Sequence, residues 1–155
     1  MSTTSIFVNL PVADLDASKR FYSSIGYPIN PLFTDENAAC IVMSDAIYVM
    51  LLTKPFFASF TDKRIIDTKA DVQVLNAIGL DSRAEVDEWA EKALAAGGSE
   101  LKPAQDYGFM YSRHVEDLDG HVWEPMWMDP SATENGPPDI AAPQDTSTPP
   151  SPDIV

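Results

Sequence analysis

The spacing of apolar positions divides the chain into two stretches that carry the same order of elements. Ile6–Val12 is an apolar run of strand length. Leu15, Ser18, Phe21, Tyr22 and Ile25 then recur at helical spacing, between Asp14 as N-cap and Gly26 as the residue past the C-terminus. Ile29–Thr34, Ala38–Met43 and Ile47–Thr53 follow as short strands, separated by the turn-rich DEN and SDA. This is a βαβββ module over residues 5–54. The connector, 55–70, breaks the pattern with Pro55, the aromatics Phe56, Phe57 and Phe60, and the basic pair Lys63 and Arg64. A connector this long and aromatic is expected to form a short helix capping the first sheet or a lid over a ligand, with packing the commoner role for such rings.

The order then repeats over residues 71–130. Val72–Leu80 reads as a strand, and Asp81 or Ser82 caps a helix whose apolar stripe is Val86, Trp89, Ala90, Ala93 and Leu94. Gly97 and Gly98 close that helix, and Glu100–Gln105, Phe109–Val115 and His121–Met128 supply three more strands. A residue-level echo supports a duplication: Asp45–Met50 parallels Asp119–Glu124, and Phe21 parallels Trp89. The expected fold class is therefore α+β. Two paired βαβββ modules form an open, cup-shaped mixed sheet with helices outside, as one domain over residues 1–130.

Composition changes this picture only at the C-terminal end. From Asp129 onward the chain holds five of its 24 acids, no Lys or Arg, and seven of its 13 prolines. Residues 131–155 are expected to be a disordered or loosely attached acidic, Pro-rich tail, because they bury too little apolar surface to offset ordering entropy. The remainder keeps 19 acids against ten bases, out of a whole-chain charge of −14. Such acidity argues against nucleic-acid binding, which relies on Lys and Arg at phosphates, and against anionic membranes. It suits a cationic ligand. No apolar run approaches the ~20 residues of a membrane span, and the first residues lack the basic region of a signal peptide. Cys40 stands alone, which fits a reducing cytoplasm, and it reads as a small packed residue rather than a nucleophile.

The chemistry converges on DLDGHVWEPMW, Asp117–Trp127. Asp119-Gly120 is a tight-turn pair feeding a strand. In that strand Glu124 is a carboxylate set among Val, Trp and Met, and such a group needs a cation, a hydrogen-bond partner or a raised pKa. If Asp117–Gly120 is the hairpin loop, Arg113 lies opposite Glu124 and Tyr111 opposite Met126. One face of the sheet would then carry Phe109, Tyr111, Arg113, Val122, Glu124 and Met126, with Phe7 and Asn9 nearby. That is an aromatic-walled pocket with a few polar groups.

Several stretches together resemble the vicinal oxygen chelate superfamily, also called the glyoxalase/bleomycin-resistance/extradiol-dioxygenase family. They are LPVADLDASKRFYSSIGY, FTDENAACIVMSDAIYVMLLT, SRAEVDEWAEKALAAGG and DLDGHVWEPMWMDP, and the likeness is greatest to the branch of predicted lactoylglutathione lyases. The resemblance implies a paired βαβββ fold, a homodimer and, in metal-dependent members, one divalent ion in the cup. It places the four metal ligands, usually His or Glu, at Phe7, Met50, Leu75 and Glu124. Three of those are apolar, while a hard divalent ion needs several oxygen or nitrogen ligands. No metal or other cofactor is therefore expected, a divalent metal being the alternative. Asn9, Asp106, Tyr111, His114 and His121 are the other polar residues near the cup; His114 is expected on its outer face, and both histidines as surface or satisfied groups.

The leading expectation is a metal-independent, small-molecule binding protein of the sequestering, drug-resistance kind. Phe7, Asn9, Met50, Phe109, Tyr111, Arg113 and Met126 would line its site, and Phe7, Phe33, Tyr107, Phe109, Tyr111, Trp123 or Trp127 would stack on a cation. The alternatives are a glyoxalase-type lyase or isomerase with Glu124 as general base, and a dimeric scaffold without a ligand.

Overall fold

The computed structural model describes residues 1–138. In order they form β1 (Ile6–Val12), α1 (Leu15–Ile25), β2 (Ile29–Asn30), β3 (Ala38–Val42), β4 (Ile47–Thr53), α2 (Lys54–Ala58), β5 (Leu75–Gly79), α3 (Arg83–Ala95), β6 (Ser99–Asp106), β7 (Met110–Glu116), β8 (Val122–Met128) and α4 (Pro130–Asn135). The two sheets have the same order, β1-β4-β3-β2 and β5-β8-β7-β6, with a parallel pair at β1/β4 and β5/β8 and antiparallel pairs elsewhere. The duplicated βαβββ pattern read from periodicity is thus the fold.

Local chemistry explains most boundaries. The Asp14 carboxylate accepts from the Ala17 amide at 3.0 Å and starts α1, whose stripe Leu15, Ser18, Phe21, Tyr22 and Ile25 is buried. In module two the cap is Ser82, not Asp81. Its hydroxyl accepts from the Glu85 amide while the Glu85 carboxylate takes the Asp81 amide. Two strands come out shorter than expected. β2 stops at Asn30 because Pro31 has no N–H to offer and the Asn30 side chain accepts from the Leu32 amide, starting a 3-10 turn over Pro31–Phe33. β5 begins at Leu75 rather than Val72 because Leu75 pairs with Val122, the first residue of β8; residues 72–74 have no strand opposite them.

The two helices share one core. Tyr22, Phe21, Trp89, Val115 and Trp123 pack together, with Tyr22 edge-on to Trp123 and the Trp89 indole donating to the Tyr27 hydroxyl at 2.8 Å. Trp123, 2% exposed, belongs to this core. The beginning of the expected tail is ordered: Asp129 caps α4, and Ala132 is buried. Residues 139–155, the rest of that tail, lie outside the described residues. No helix among the described residues is long and apolar enough to cross a membrane.

Candidate functional site

The β7/β8 register decides which side chains meet, and it is one residue away from the expected one. Ser112 pairs with Met126, Val115 with Trp123 and Glu116 with Val122, so His114 lies opposite Glu124. The Asp117 amide continues the ladder by donating to the His121 carbonyl at 3.0 Å. The loop is therefore three residues long. A turn closed by the Gly120 amide on the Asp117 carbonyl is followed by Gly120 at φ +86°. Because side chains alternate along a strand, this slip turns each β7 residue to the other face.

Arg113 accordingly faces α3. It bonds Glu91 at 2.7 Å and Glu100 at 2.9 Å and reaches Asp87 at 3.4 Å. Burial works against its charge, but the hydrogen bonds to these carboxylates outweigh that and push its pKa up. Tyr111 also turns this way and donates to Asp87 at 2.7 Å. The guanidinium of Arg83 lies over the rings of Tyr111 and Trp127, 5.3 and 5.1 Å from their centroids. Those two rings already hold a cation, and the chain supplies it. Tyr107 and Phe109 pack on each other.

Glu124 finds its partner in His114, whose Nε2 lies 3.2 Å from its carboxylate. His114 is buried, not on an outer face, and its Nδ1 has no hydrogen-bond partner. Met126 lies two residues along β8 from Glu124, on the same face. Elsewhere, Phe7 stacks on Tyr48 with ring centroids 4.6 Å apart and remains 53% exposed, and Met50 is half-buried in β4. The places where the resemblance puts metal ligands thus hold two exposed apolar side chains, a methionine and a carboxylate paired with an imidazole. This donor set does not fit a divalent ion. Among the described residues no three of His, Cys, Asp and Glu are placed to share one.

The Asp117–His121 segment joins the modules. The Tyr22 hydroxyl donates to the Asp117 carboxylate at 2.6 Å while accepting from the Trp123 indole at 3.0 Å. The same carboxylate takes the amides of Asp119 and His121, each at 2.9 Å. Asp119 accepts from the Ala13 amide at 2.9 Å and the Ser18 hydroxyl at 3.3 Å. His121 Nε2 donates to the Pro11 carbonyl at 2.7 Å, so it is a satisfied interior histidine. Burial raises the pKa of Asp117, against the pull of His121 and of the hydrogen bonds it accepts. Tyr22 is raised well above its ordinary value by burial and then by Asp117.

The connector docks on this segment. The Thr68 hydroxyl donates to the Asp119 carbonyl, and a Cβ on Gly120 would lie 2.3 Å from the Thr68 carbonyl oxygen. Between the connector and the strands lies a cavity of about 320 Å³. Asn9, Leu10 and Pro11 of β1, Asn76 of β5, and Gly120, His121 and Val122 form its floor. The connector contributes Phe57, Lys63, Arg64, Ile65 and Ile66, with Val72 and Val74 beyond it. Of the residues expected around the ligand, Asn9 and Val122 line this cavity, and Phe7, Met50, Phe109, Tyr111, Arg113, Glu124 and Met126 do not. The connector, expected as a capping helix or a lid over a ligand, supplies most of the remaining lining; it has no periodicity that would place its residues individually, and its Lys63-Arg64 pair beside aromatics was the available signal. A second cavity, about 450 Å³, opens between the unpaired edges of β1 and β5, at Ile6, Val8 and Leu75–Leu80.

Residues 4–44 match the family model described as bleomycin resistance protein-like N-terminal. No curated protein matches the chain. Among solved structures it is similar to the hypothetical protein SA1046 from S. aureus, with 24% identity and a TM-score of 0.69 over 82% of this chain and 95% of that one. It is similar to a glyoxalase-related enzyme from Fulvimarina pelagi, with 24% identity, a TM-score of 0.67, and coverage of 78% and 85%. It also resembles FosX, a genomically encoded fosfomycin resistance protein from Listeria monocytogenes, with 19% identity, a TM-score of 0.60, and coverage of 84% and 98%. The chain shares the fold of these solved structures, two four-stranded mixed sheets with helices.

Proposed function

We propose that this protein binds a small molecule in the connector cavity without a resident metal, as a sequestering, drug-resistance-like protein of the glyoxalase/bleomycin-resistance superfamily. The observation that carries this reading is the cavity itself. It has the volume of a small-ligand site and an apolar wall interrupted by a few polar groups, Asn9, Gln73 and Asn76 among them. The match of residues 4–44 to a bleomycin-resistance-like family supports the binding class, as does the shared fold with a fosfomycin resistance protein. The donor set at Phe7, Met50, Leu75 and Glu124 supports metal independence.

The test is a ligand-observed NMR fragment screen on the full chain and on Ile66→Trp, which fills the cavity. Fragments that bind the first and not the second are expected; a screen without such fragments, on folded protein, contradicts the reading. The proposal includes a homodimer, since Ile6, Phe7 and Leu75 are each more than half exposed; a monomer mass in light scattering at micromolar concentration contradicts that part.

A second reading, a lactoylglutathione-lyase-like activity with Glu124 as base, has one observation in its favour: the half-buried Glu124 carboxylate is held 3.2 Å from His114. Glu124 does not line the connector cavity, which is why binding is the reading we favour. Turnover of a glutathione adduct that is lost in Glu124→Gln would reverse that preference.

A further inference from the structure

We infer that the ligand of the connector cavity is an anion with an apolar body, held at its carboxylate or phosphate by Arg64 and Lys63. This deepens the binding reading above and rests on it. It also reverses the expectation, drawn from overall charge, of a cationic ligand.

The first observation is where the positive charge lies. Residues 54–70 carry Lys54, Lys63, Arg64 and Lys69, four of the ten bases of the chain, against two acids, Asp62 and Asp67. This segment is net +2 in a protein of net −14, and it forms one wall of the cavity. Lys63 and Arg64 both line the cavity, and neither makes an ion pair among the described residues. Arg113 shows the contrast: it is enclosed by three carboxylates of its own chain. Among the described residues one acid, Asp71, lines the cavity beside the two bases, so the charges of the described lining do not cancel. Acids elsewhere on the surface weigh little, because charges farther than about 8 Å are screened at physiological ionic strength.

The second observation is the apolar surface beside those cations. Val72 and Val74 line the cavity, yet they are 62% and 57% exposed, and Phe57, Ile65 and Ile66 continue the same wall. An apolar body covers that surface while its anionic end meets the cations. A guanidinium grips a carboxylate or phosphate through two parallel hydrogen bonds, and an ammonium adds a point charge. Asn9 and Asn76 offer amides on the opposite side.

The experiment is a titration of the full-length protein with naphthalene probes of one shape and different charge: 1-naphthoate, 1-naphthyl phosphate, neutral 1-naphthalenemethanol and cationic 1-naphthylmethylamine. Amide shifts of Ile65, Ile66, Gly120 and Val122 are followed by NMR. Both anions are expected to bind about tenfold tighter than the alcohol, as charge-assisted hydrogen bonds in a partly enclosed site would give. Arg64→Gln with Lys63→Gln is expected to remove that advantage, so that in the variant both anions bind no tighter than the alcohol. Both side chains are exposed and make no ion pair among the described residues, so the variants are expected to keep the fold. Equal binding of alcohol and anions at these amides overturns the anion and leaves the binding site standing. Tightest binding of the amine overturns it in favour of a cation. No shift at these amides with any probe overturns both.

Discussion

The two modules close their last hairpins with equivalent turns, and the turns do opposite things. In module one, Ser44–Ala46 is exposed and satisfies itself: the Ser44 hydroxyl accepts from the amides of Ala46 and Ile47, and the Tyr48 hydroxyl donates to the Asp45 carbonyl. In module two, Asp117, Asp119, Gly120 and His121 are buried, and their bonds run to Pro11, Ala13, Ser18 and Tyr22 of module one and to Thr68 of the connector. The duplication supplied two turns at matching positions; the second takes a positive φ at Gly120 where the first does not at Ala46, and the second became the joint of the molecule. The strongest acidic motif in the sequence is therefore mechanical. The binding surface is built by the connector that rests on it.

The largest expected effect breaks that joint. Gly120→Ala places a Cβ against the Thr68 backbone at a positive φ, and should cost at least about 2 kcal/mol in chemical unfolding. Ala46→Gly, at the equivalent turn, should stay within about 0.5 kcal/mol. Equal effects would erase the asymmetry.

Asp117→Ala comes next. It leaves the Tyr22 hydroxyl and two backbone amides without their acceptor, and because water can enter the space left by the carboxylate the loss should be about 1–3 kcal/mol in all. Asp45→Ala should be nearly silent. Asp117 also sets a pH dependence. Its folded pKa lies above the ordinary value of 3.8, so the folded state holds the proton more tightly than the unfolded chain does. The stability this confers is complete below pH 3.8 and is lost as pH rises to the raised value. Wild type should therefore lose stability relative to Asp117→Asn across that window in urea titrations at stepped pH. A constant difference would show that the carboxyl is not raised.

The smallest effect concerns the pair that replaced the expected one. A double-mutant cycle of Glu124→Gln with His114→Gln should give a coupling of at most about 1 kcal/mol, because Glu124 is partly open to solvent. The Arg113–Glu124 cycle should give none. Coupling in the second cycle and not the first would restore the register first read from the sequence.

That register shows where sequence reading stops. Caps, helical stripes and the duplicated order are local, and the chain states them: Asp14, Phe21 and Gly26 in one module, Ser82 and Trp89 in the other. The loop length at Asp117–Gly120 was open to two pairings one residue apart, and the choice decided whether Arg113 or His114 met Glu124. The carboxylates of Asp87, Glu91 and Glu100 that claim Arg113 lie up to 26 residues away in sequence. The cavity was harder still to see, because residues 59–74 follow no period of their own, and the contact that docks them, Thr68 on the Asp119 carbonyl, spans 51 residues of sequence.

The most direct test of the account sets its two sites against each other. The affinity of 1-naphthoate would be measured by calorimetry in EDTA and again with Zn²⁺, Ni²⁺, Mn²⁺ or Fe²⁺, for wild type, Ile66→Trp and Glu124→Gln. The account predicts one affinity under all ionic conditions, unchanged in Glu124→Gln and abolished in Ile66→Trp. Binding that requires a divalent ion, survives in Ile66→Trp and disappears in Glu124→Gln would contradict it.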